Sequence, residues 1–112
     1  MAGYHSVAPS VEALLAFDGV LIDIREPHEW QQTGIVEGSK PLTLSDPETF
    51  LEALEPHLED STPIALICRT GNRTQQAGRA IAKRVNVPVI NIEGGIVRLM
   101  RLGYEPVPAG DR

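Results

Sequence analysis

The chain contains a single cysteine, Cys68, and the residues after it have types that suit reactive chemistry. An unbroken apolar run over 63–68 ends at this cysteine. The polar segment that follows it is Arg69-Thr70-Gly71-Asn72-Arg73. A thiol becomes a strong nucleophile when it loses its proton, and nearby cations or a helix N-terminus lower its pKa. Cys68 is therefore the first candidate for nucleophilic chemistry.

The backbone of this polar segment is suited to binding an anion. Gly71 accepts positive φ angles without strain, and Asn72 tolerates them, so successive N–H groups can turn inward. A helix predicted to begin at Thr74 would add the positive end of its dipole. Arg69 and Arg73 would add positive charge at the rim. The sequence thus predicts a thiolate beside an anion-binding loop.

A structural interpretation of Cys68 competes with the reactive one. Free cysteines are among the most buried residues, and one that ends an apolar strand can be simply part of the core. The neighbouring residues favour the reactive interpretation, because a glycine, an asparagine and two arginines on a strand-to-helix turn have few structural reasons to occur together.

The elements around the loop alternate between strands and helices. The run over 63–68 is typical of a strand covered on both faces, so we expect it at the centre of a sheet. Further extended segments are predicted over 20–23, 41–44 and 87–92. Helices are predicted over 11–18, 27–33, 46–55, 74–85 and 95–102. This order predicts an α/β domain with a mainly parallel sheet flanked by helices, and a loosely held tail from Pro106.

Length and composition limit the other possibilities. With 112 residues, the chain suits one domain over 1–112. A net charge of -5 argues against nucleic-acid binding. No apolar run approaches the length that spans a membrane, and Met1 to Ser10 resembles no secretory signal, so we expect a cytoplasmic location.

Other polar residues are expected to be structural. Asp23 at a strand end and Arg25 just after it are most simply a buried ion pair that fixes a loop, with a substrate role as the alternative. The three histidines, at positions 5, 28 and 57, have no metal-ligand spacing. We therefore expect no zinc site and no cofactor.

The loop sequence is similar to that of a known family. The segment CRTGNRT, from Cys68 to Thr74, resembles the active-site loop of single-domain rhodaneses, which are thiosulfate sulfurtransferases. Two other signatures of that family have similar segments in the expected order. They are Asp23-Ile24-Arg25-Glu26 with Glu29-Trp30, and Glu93-Gly94-Gly95-Ile96 with Gly103-Tyr104. Together the similar segments span most of the chain.

The resemblance implies a rhodanese-like three-layer fold and a ping-pong reaction in which Cys68 carries sulfur as a persulfide. An anionic donor such as thiosulfate would be drawn in by Arg69 and Arg73. The acceptor would be a thiophile such as cyanide or a thiol, or a sulfur-accepting protein. The backbone N–H groups around the outer sulfur would come from the substrate-binding residues Arg69, Thr70, Gly71, Asn72 and Arg73.

The sequence departs from the family pattern in two places. Gly34-Ile35-Val36-Glu37-Gly38-Ser39 stands where the family often has Gly-His-Ile-Pro-Gly-Ala, and Leu99 stands where a tryptophan is common. Both departures affect the expected packing around the middle loop, and neither lies in the reactive loop.

Two other functions remain open. Cysteine phosphatases and arsenate reductases also place a thiolate in an anion-binding loop that ends in arginine, but their loop is one residue longer than the segment from Cys68 to Arg73. A non-catalytic or sulfur-carrier module that acts on a partner protein is the other alternative. Such binding modules commonly lack the cysteine, which this chain keeps.

Overall fold

The computed structural model of the protein describes residues 3–58 and 61–110. Strands and helices alternate along these ranges. The strands are β1 (Tyr4–Val7), β2 (Val20–Asp23), β3 (Lys40–Pro41), β4 (Ile64–Ile67) and β5 (Val89–Ile92). The α-helices are α1 (Val11–Leu15), α2 (Pro27–Thr33), α3 (Pro47–Leu54), α4 (Asn72–Ala82) and α5 (Gly95–Arg101), and a short 3₁₀ helix (Glu55–His57) follows α3.

The five strands form one parallel sheet in the order β1-β5-β4-β2-β3. β4 lies in the centre, as its apolar sequence predicts, and all its residues are buried. Because parallel strands are joined by helical crossovers, such a sheet is covered on both faces. The predicted α/β fold with a central parallel sheet is confirmed.

Alternate side chains of β4 pack into two cores, one on each face of the sheet. Ile64 and Leu66 belong to the core that also contains residues of α3 and α4. Ala65 and Ile67 belong to the core that contains residues of α1 and α5. The sheet is therefore the middle of three layers, and the carboxyl end of β4 lies between the two helical layers.

The ends of several helices are fixed by local contacts that the sequence indicates. Ser10 caps α1, and its hydroxyl accepts a hydrogen bond from the N–H of Ala13 at 3.1 Å. Asp46 caps α3 in the same way, through the N–H of Thr49 at 3.1 Å. Side-chain acceptors of this kind satisfy donors that a helix leaves free at its N-terminus.

The N-terminal strand β1 lies outside the predicted elements. Only Tyr4 of its four residues is even partly buried, so β1 has no apolar pattern that indicates a strand. Its backbone pairs in parallel with β5, from Tyr4 opposite Val89 to Val7 opposite Ile92. Backbone pairing at the sheet edge, rather than side-chain burial, therefore defines this strand.

The helix after the reactive loop differs from its predicted bounds. α4 begins at Asn72, two residues before the predicted start, so Asn72 is helical and only Gly71 of this pair has a positive φ, of 96°. α4 ends at Ala82, and Val85 packs into the core from beyond the helix. Ala80 of α4 is exposed.

The prediction that the tail from Pro106 is loosely held is wrong. Ile35 and Val107 exchange two backbone hydrogen bonds of 2.8 Å, which join the tail to the loop after α2. Ala109 is buried in a small cluster with Trp30 and Ile35. The apolar residues of the tail therefore complete a satellite core that α2 alone leaves open.

Both departures from the family pattern are well packed. Ile35 and Val36 of the middle loop are buried, and the Tyr104 hydroxyl accepts a hydrogen bond from the Glu37 N–H at 2.8 Å. Leu99 is buried in the same core as Val36. The tyrosine after α5 thus holds the altered loop in place.

Asp23 and Arg25 form a buried ion pair at 2.9 Å, which confirms the structural interpretation of these residues. The guanidinium also donates to the Thr33 hydroxyl at 2.9 Å and to the Gly34 carbonyl at 2.8 Å. The indole N–H of Trp30 donates to Asp23 at 3.1 Å. Because burial of charge is costly unless every charge is partnered, this network fixes α2 against the end of β2.

Over residues 3–58 and 61–110, no helix is long and apolar enough to cross a membrane. In the same ranges, His, Cys, Asp and Glu side chains form no group of three or more that could hold a metal ion.

Candidate active site

Cys68 directly follows β4, at the carboxyl edge of the sheet where open α/β folds place their ligands. Its side chain is 1% exposed, and its Sγ accepts a hydrogen bond from the Gly71 N–H at 3.1 Å. Gly71 has a left-handed φ of 96° and is the N-cap of α4. That turn curls the backbone around the sulfur, which a residue with a side chain would do only under strain.

Burial raises the pKa of the Cys68 thiol, because an apolar environment disfavours the thiolate. Hydrogen bonds oppose this effect: the Thr74 hydroxyl, whose oxygen lies 3.6 Å from Sγ, and the backbone N–H groups of Thr74, Gly71 and Arg73 stabilise negative charge on the sulfur. The hydrogen bonds prevail, and the pKa of Cys68 lies below its ordinary value. The loop therefore favours a thiolate in a buried position.

The N-terminus of α5 holds the other side of the loop. The N–H of Ile96 donates to the Cys68 carbonyl at 3.0 Å, and the N–H of Val97 donates to the Arg69 carbonyl at 3.1 Å. A Cβ atom at Gly95 would lie 2.4 Å from both carbonyl oxygens. The missing side chain lets the helix approach and bind these carbonyls, which leaves loop N–H groups to face the sulfur.

Arg73 is the last residue of the polar segment and is paired with Glu29 of α2. Two hydrogen bonds of 2.9 Å join the guanidinium to the two carboxylate oxygens. The hydrogen bond from Arg73 lowers the pKa of Glu29 to about 2. The bond to Glu29 raises the pKa of Arg73, burial opposes this, and the charges of Glu29 and Cys68 raise it further. Arg73 thus contributes to the field at the sulfur, but Glu29 offsets much of its charge.

The remaining residues of the polar segment lie on the surface. Arg69, Thr70 and Asn72 are exposed. In the part of the chain that the structure describes, Arg69 takes part in no ion pair, so its charge is not offset. Of the five predicted loop residues, Gly71 and Arg73 have N–H groups that stabilise negative charge on the Cys68 sulfur, and Arg69 is the loop cation without an ion-pair partner among the described residues.

Because Glu29 is paired with Arg73 and has a lowered pKa, we expect the free energy of unfolding to depend on pH. A carboxylate with a lower pKa in the folded state stabilises the fold above its unfolded pKa, near 4.5, and this stabilisation is lost as the pH falls toward about 2. Arg73 is 40% exposed, so we expect about 1 kcal/mol or less. Wild type should be more stable than Glu29→Gln above pH 5, with a difference that shrinks as the pH falls below about 4.5 and is gone near pH 2.

Urea unfolding at a series of pH values measures this difference. A Glu48→Gln variant, which removes a carboxylate from the exposed pair with Arg84, is the control for the loss of one negative charge. If the wild type is still more stable than Glu29→Gln by the same amount at pH 2, the stability difference does not arise from the lowered pKa of Glu29.

Residues 7–101 match the protein family described as "Rhodanese-like domain". The chain belongs to this family of sulfurtransferases. The fold is also that of solved rhodanese-like structures. A polysulfide-sulfur transferase homodimer from Wolinella succinogenes is similar with a TM-score of 0.72 and 21% identity, over 97% of this chain and 82% of that one. Among curated protein sequences, none matches this chain.

Two further structures show the range of proteins that share the fold. The Bacillus anthracis protein CoADR-RHD is 27% identical with a TM-score of 0.63, over 80% of this chain, which spans only 15% of that protein. A Rhodopseudomonas palustris protein described as a possible tyrosine phosphatase is 24% identical with a TM-score of 0.64, over 87% of this chain and 77% of that one.

Three residues outside the predicted site, Thr74, Asn91 and Gly95, shape the Cys68 loop. Thr74 ends the similar loop segment and is predicted to begin a helix, but nothing in the sequence indicates that its hydroxyl lies near the sulfur. Gly95 belongs to a similar signature, and Asn91, which contacts Thr74, lies outside the predicted site. A polar residue in an otherwise apolar strand was the available signal for Asn91, because buried amides require partners.

Proposed function

We propose that the protein is a sulfurtransferase that moves a sulfane sulfur from thiosulfate or a similar anionic donor to a thiophilic acceptor through a persulfide on Cys68. The observation that carries the proposal is the hydrogen bond from the Gly71 N–H to the buried Sγ, in a loop whose N–H groups lower the thiol pKa. Membership of a sulfurtransferase family supports the same conclusion.

The proposed reaction has two displacement steps. In the first, the Cys68 thiolate attacks the outer sulfur of thiosulfate; a new S–S bond forms, the donor S–S bond breaks, and sulfite leaves with the bonding electrons. In the second, the cyanide carbon attacks the outer sulfur of the persulfide; a C–S bond forms to give thiocyanate, the S–S bond to Cys68 breaks, and the Cys68 thiolate leaves with the bonding electrons. Neither step needs an outside oxidant or reductant.

The loop residues have distinct roles in this proposal. Backbone N–H groups over 69–73 bind the negative outer sulfur, as donors aimed at developing charge do in other enzymes. Arg69 draws in the anionic donor, because its charge is not offset. Arg73 adds a smaller attraction, since Glu29 holds its guanidinium. These assignments, the single domain over 1–112 and the cytoplasmic location stay predictions.

A phosphatase is the second candidate, because a neighbour with 24% identity is described as a possible tyrosine phosphatase. A phosphoryl group needs a loop that encloses a tetrahedral anion. Only four residues separate Cys68 from Arg73, which leaves less room than the phosphatase loop provides, whereas a single sulfur atom needs less space.

A substrate panel separates the candidates. We expect the wild-type protein to form thiocyanate from cyanide with thiosulfate, polysulfide or mercaptopyruvate as donor, and to release no phosphate from p-nitrophenyl phosphate. Cys68-dependent phosphate release without thiocyanate would establish the phosphatase instead. Inactivity with every donor and with the phosphoester would favour a non-catalytic module or a carrier that acts only on a partner protein.

A further inference from the structure

Asn91 is a buried amide in an otherwise apolar strand. It lies in β5 and is 2% exposed, with the buried residues Val89 and Ile92 in the same strand. Its carbonyl oxygen accepts a hydrogen bond from the Thr74 hydroxyl, and its NH₂ group donates to the Ser6 hydroxyl at 2.9 Å. Contacts therefore run from Asn91 through Thr74 to the Cys68 sulfur.

The Thr74 hydroxyl has one hydrogen and three neighbouring acceptors. The Cys68 Sγ lies 3.6 Å from its oxygen, the Gly71 carbonyl oxygen lies at 3.2 Å, and the Asn91 carbonyl oxygen is in hydrogen-bond contact. One hydroxyl hydrogen serves one of these acceptors well at a time. Whether Asn91 presents its carbonyl or its NH₂ to Thr74 therefore determines whether the Thr74 hydroxyl is free to donate to the sulfur.

With a neutral thiol, one arrangement of the hydrogens satisfies all these groups in their observed positions. The Cys68 S–H donates to the Thr74 oxygen, the Thr74 O–H donates to the Asn91 carbonyl, and the Asn91 NH₂ donates to Ser6. An anionic sulfur instead requires the Thr74 hydrogen for itself. A half-turn of the Asn91 amide then presents its NH₂ to the Thr74 oxygen and its carbonyl to the Ser6 hydroxyl, which donates as readily as it accepts.

We propose that Asn91 is a positioning residue whose amide turns the Thr74 hydroxyl toward Cys68 whenever the sulfur is negatively charged. The proposal rests on the proposed function, in that Cys68 is the reacting nucleophile. Asn91 itself touches neither the sulfur donor nor the acceptor, and it acts through Thr74 alone.

The surroundings permit this reorientation. Ser6 is exposed and, with Asn91, lines a polar cavity of about 340 Å³. Thr70, Gln75 and Glu93 line the same cavity, so polar groups surround the Ser6 end of the amide. Glu93 is the charged group of that cavity, and Arg73, paired with Glu29, is the cation that interacts with the Cys68 thiolate.

The expected effect of removing the amide has a definite sign. In Asn91→Leu, the neutral-thiol state keeps an acceptor for the Thr74 hydrogen, because the Gly71 carbonyl takes it. The thiolate state loses the NH₂ donor, and no other group among the contacts of Thr74 replaces it. We therefore expect the thiolate to form less readily, by about threefold to tenfold.

The rate of iodoacetamide alkylation of Cys68, recorded from pH 5 to 10, measures thiolate formation without any sulfur donor. The midpoint of this profile should move to higher pH by about half to one pH unit in Asn91→Leu. Asn91→Ala is measured in the same way, with the same expectation, if Asn91→Leu does not fold. If the wild type is alkylated but accepts no sulfur, the proposed function is contradicted. The alkylation profiles still test the role of Asn91 in that case, because they need no sulfur donor.

A double-mutant comparison tests whether Asn91 acts through Thr74. In a Thr74→Val background, which removes the hydroxyl at nearly constant shape, Asn91→Leu should leave the midpoint unchanged. Val89→Ala, which removes buried bulk from the same strand, is the control for general loosening and should also leave it unchanged. The proposal is overturned if the midpoint in Asn91→Leu stays the same or falls. It is also overturned if the midpoint rises equally when Asn91→Leu is made in the Thr74→Val background, or if it rises equally in Val89→Ala.

Discussion

Cys68→Ser is expected to lose sulfur transfer from thiosulfate to cyanide by more than about a thousandfold. A serine hydroxyl is nearly the size of a thiol, but it does not ionise near neutral pH and forms no persulfide. The loop gives it no compensating base, because the groups that face Sγ are backbone N–H groups and the Thr74 hydroxyl. Steady-state thiocyanate formation measures the loss.

The fold of Cys68→Ser should be retained. The serine oxygen can accept the Gly71 N–H in place of the sulfur, so no buried donor is left without a partner. Circular dichroism and thermal unfolding establish this point. A correctly folded variant that retained a tenth or more of wild-type turnover would show that the sulfur travels by a route that does not involve Cys68.

Gly95→Ala is expected to lower sulfur transfer by about a hundredfold or more, because small displacements of a reacting group are costly. The new Cβ would lie 2.4 Å from the carbonyl oxygens of Cys68 and Arg69, which are backbone atoms that cannot move without the loop. The hydrogen bonds from Ile96 and Val97 to those carbonyls would lengthen as the loop shifts. Thiocyanate formation and the rate of Cys68 alkylation should both fall.

Gly103→Ala is the matched control for this variant. Gly103 also has a positive φ, of 98°, but a Cβ atom there would meet nothing within 4 Å. Gly95 has a φ of 58°, so both variants place a side chain at a positive φ, but only Gly95→Ala pushes on the loop. Equal activity losses in the two variants would show that backbone strain alone accounts for the effect and that contact with α5 does not position the loop.

The sequence predicted the centre of the molecule well because its signals there are local. The apolar run into Cys68 identified the central strand β4, and the polar residues after it identified the loop. The caps of α1 and α3 depend on local contacts of the same kind, since each cap and its partner lie three residues apart. Asp23 and Arg25 are also close in sequence, and their pairing was anticipated.

Features that depend on distant segments were not predictable in this way. β1 exists because β5 offers a free edge, and nothing within residues 4–7 indicates it. The tail from Pro106 is held by Ile35, which lies far away in the sequence. The same limit applies at the site: Gly95 and Asn91 shape the Cys68 loop through contacts that form only when β5 and α5 pack beside it.

A persulfide on Cys68 can be detected directly as a gain in the mass of the protein. The purified protein is incubated with excess thiosulfate and freed of donor, and its intact mass is then recorded by mass spectrometry. Cys68→Ser is treated identically as the control. We expect a gain of about 32 mass units on the wild type alone, and its loss, with formation of thiocyanate, when cyanide is added. Wild-type protein that gains no sulfur from thiosulfate, polysulfide or mercaptopyruvate, or a gain that also occurs in Cys68→Ser, would contradict it.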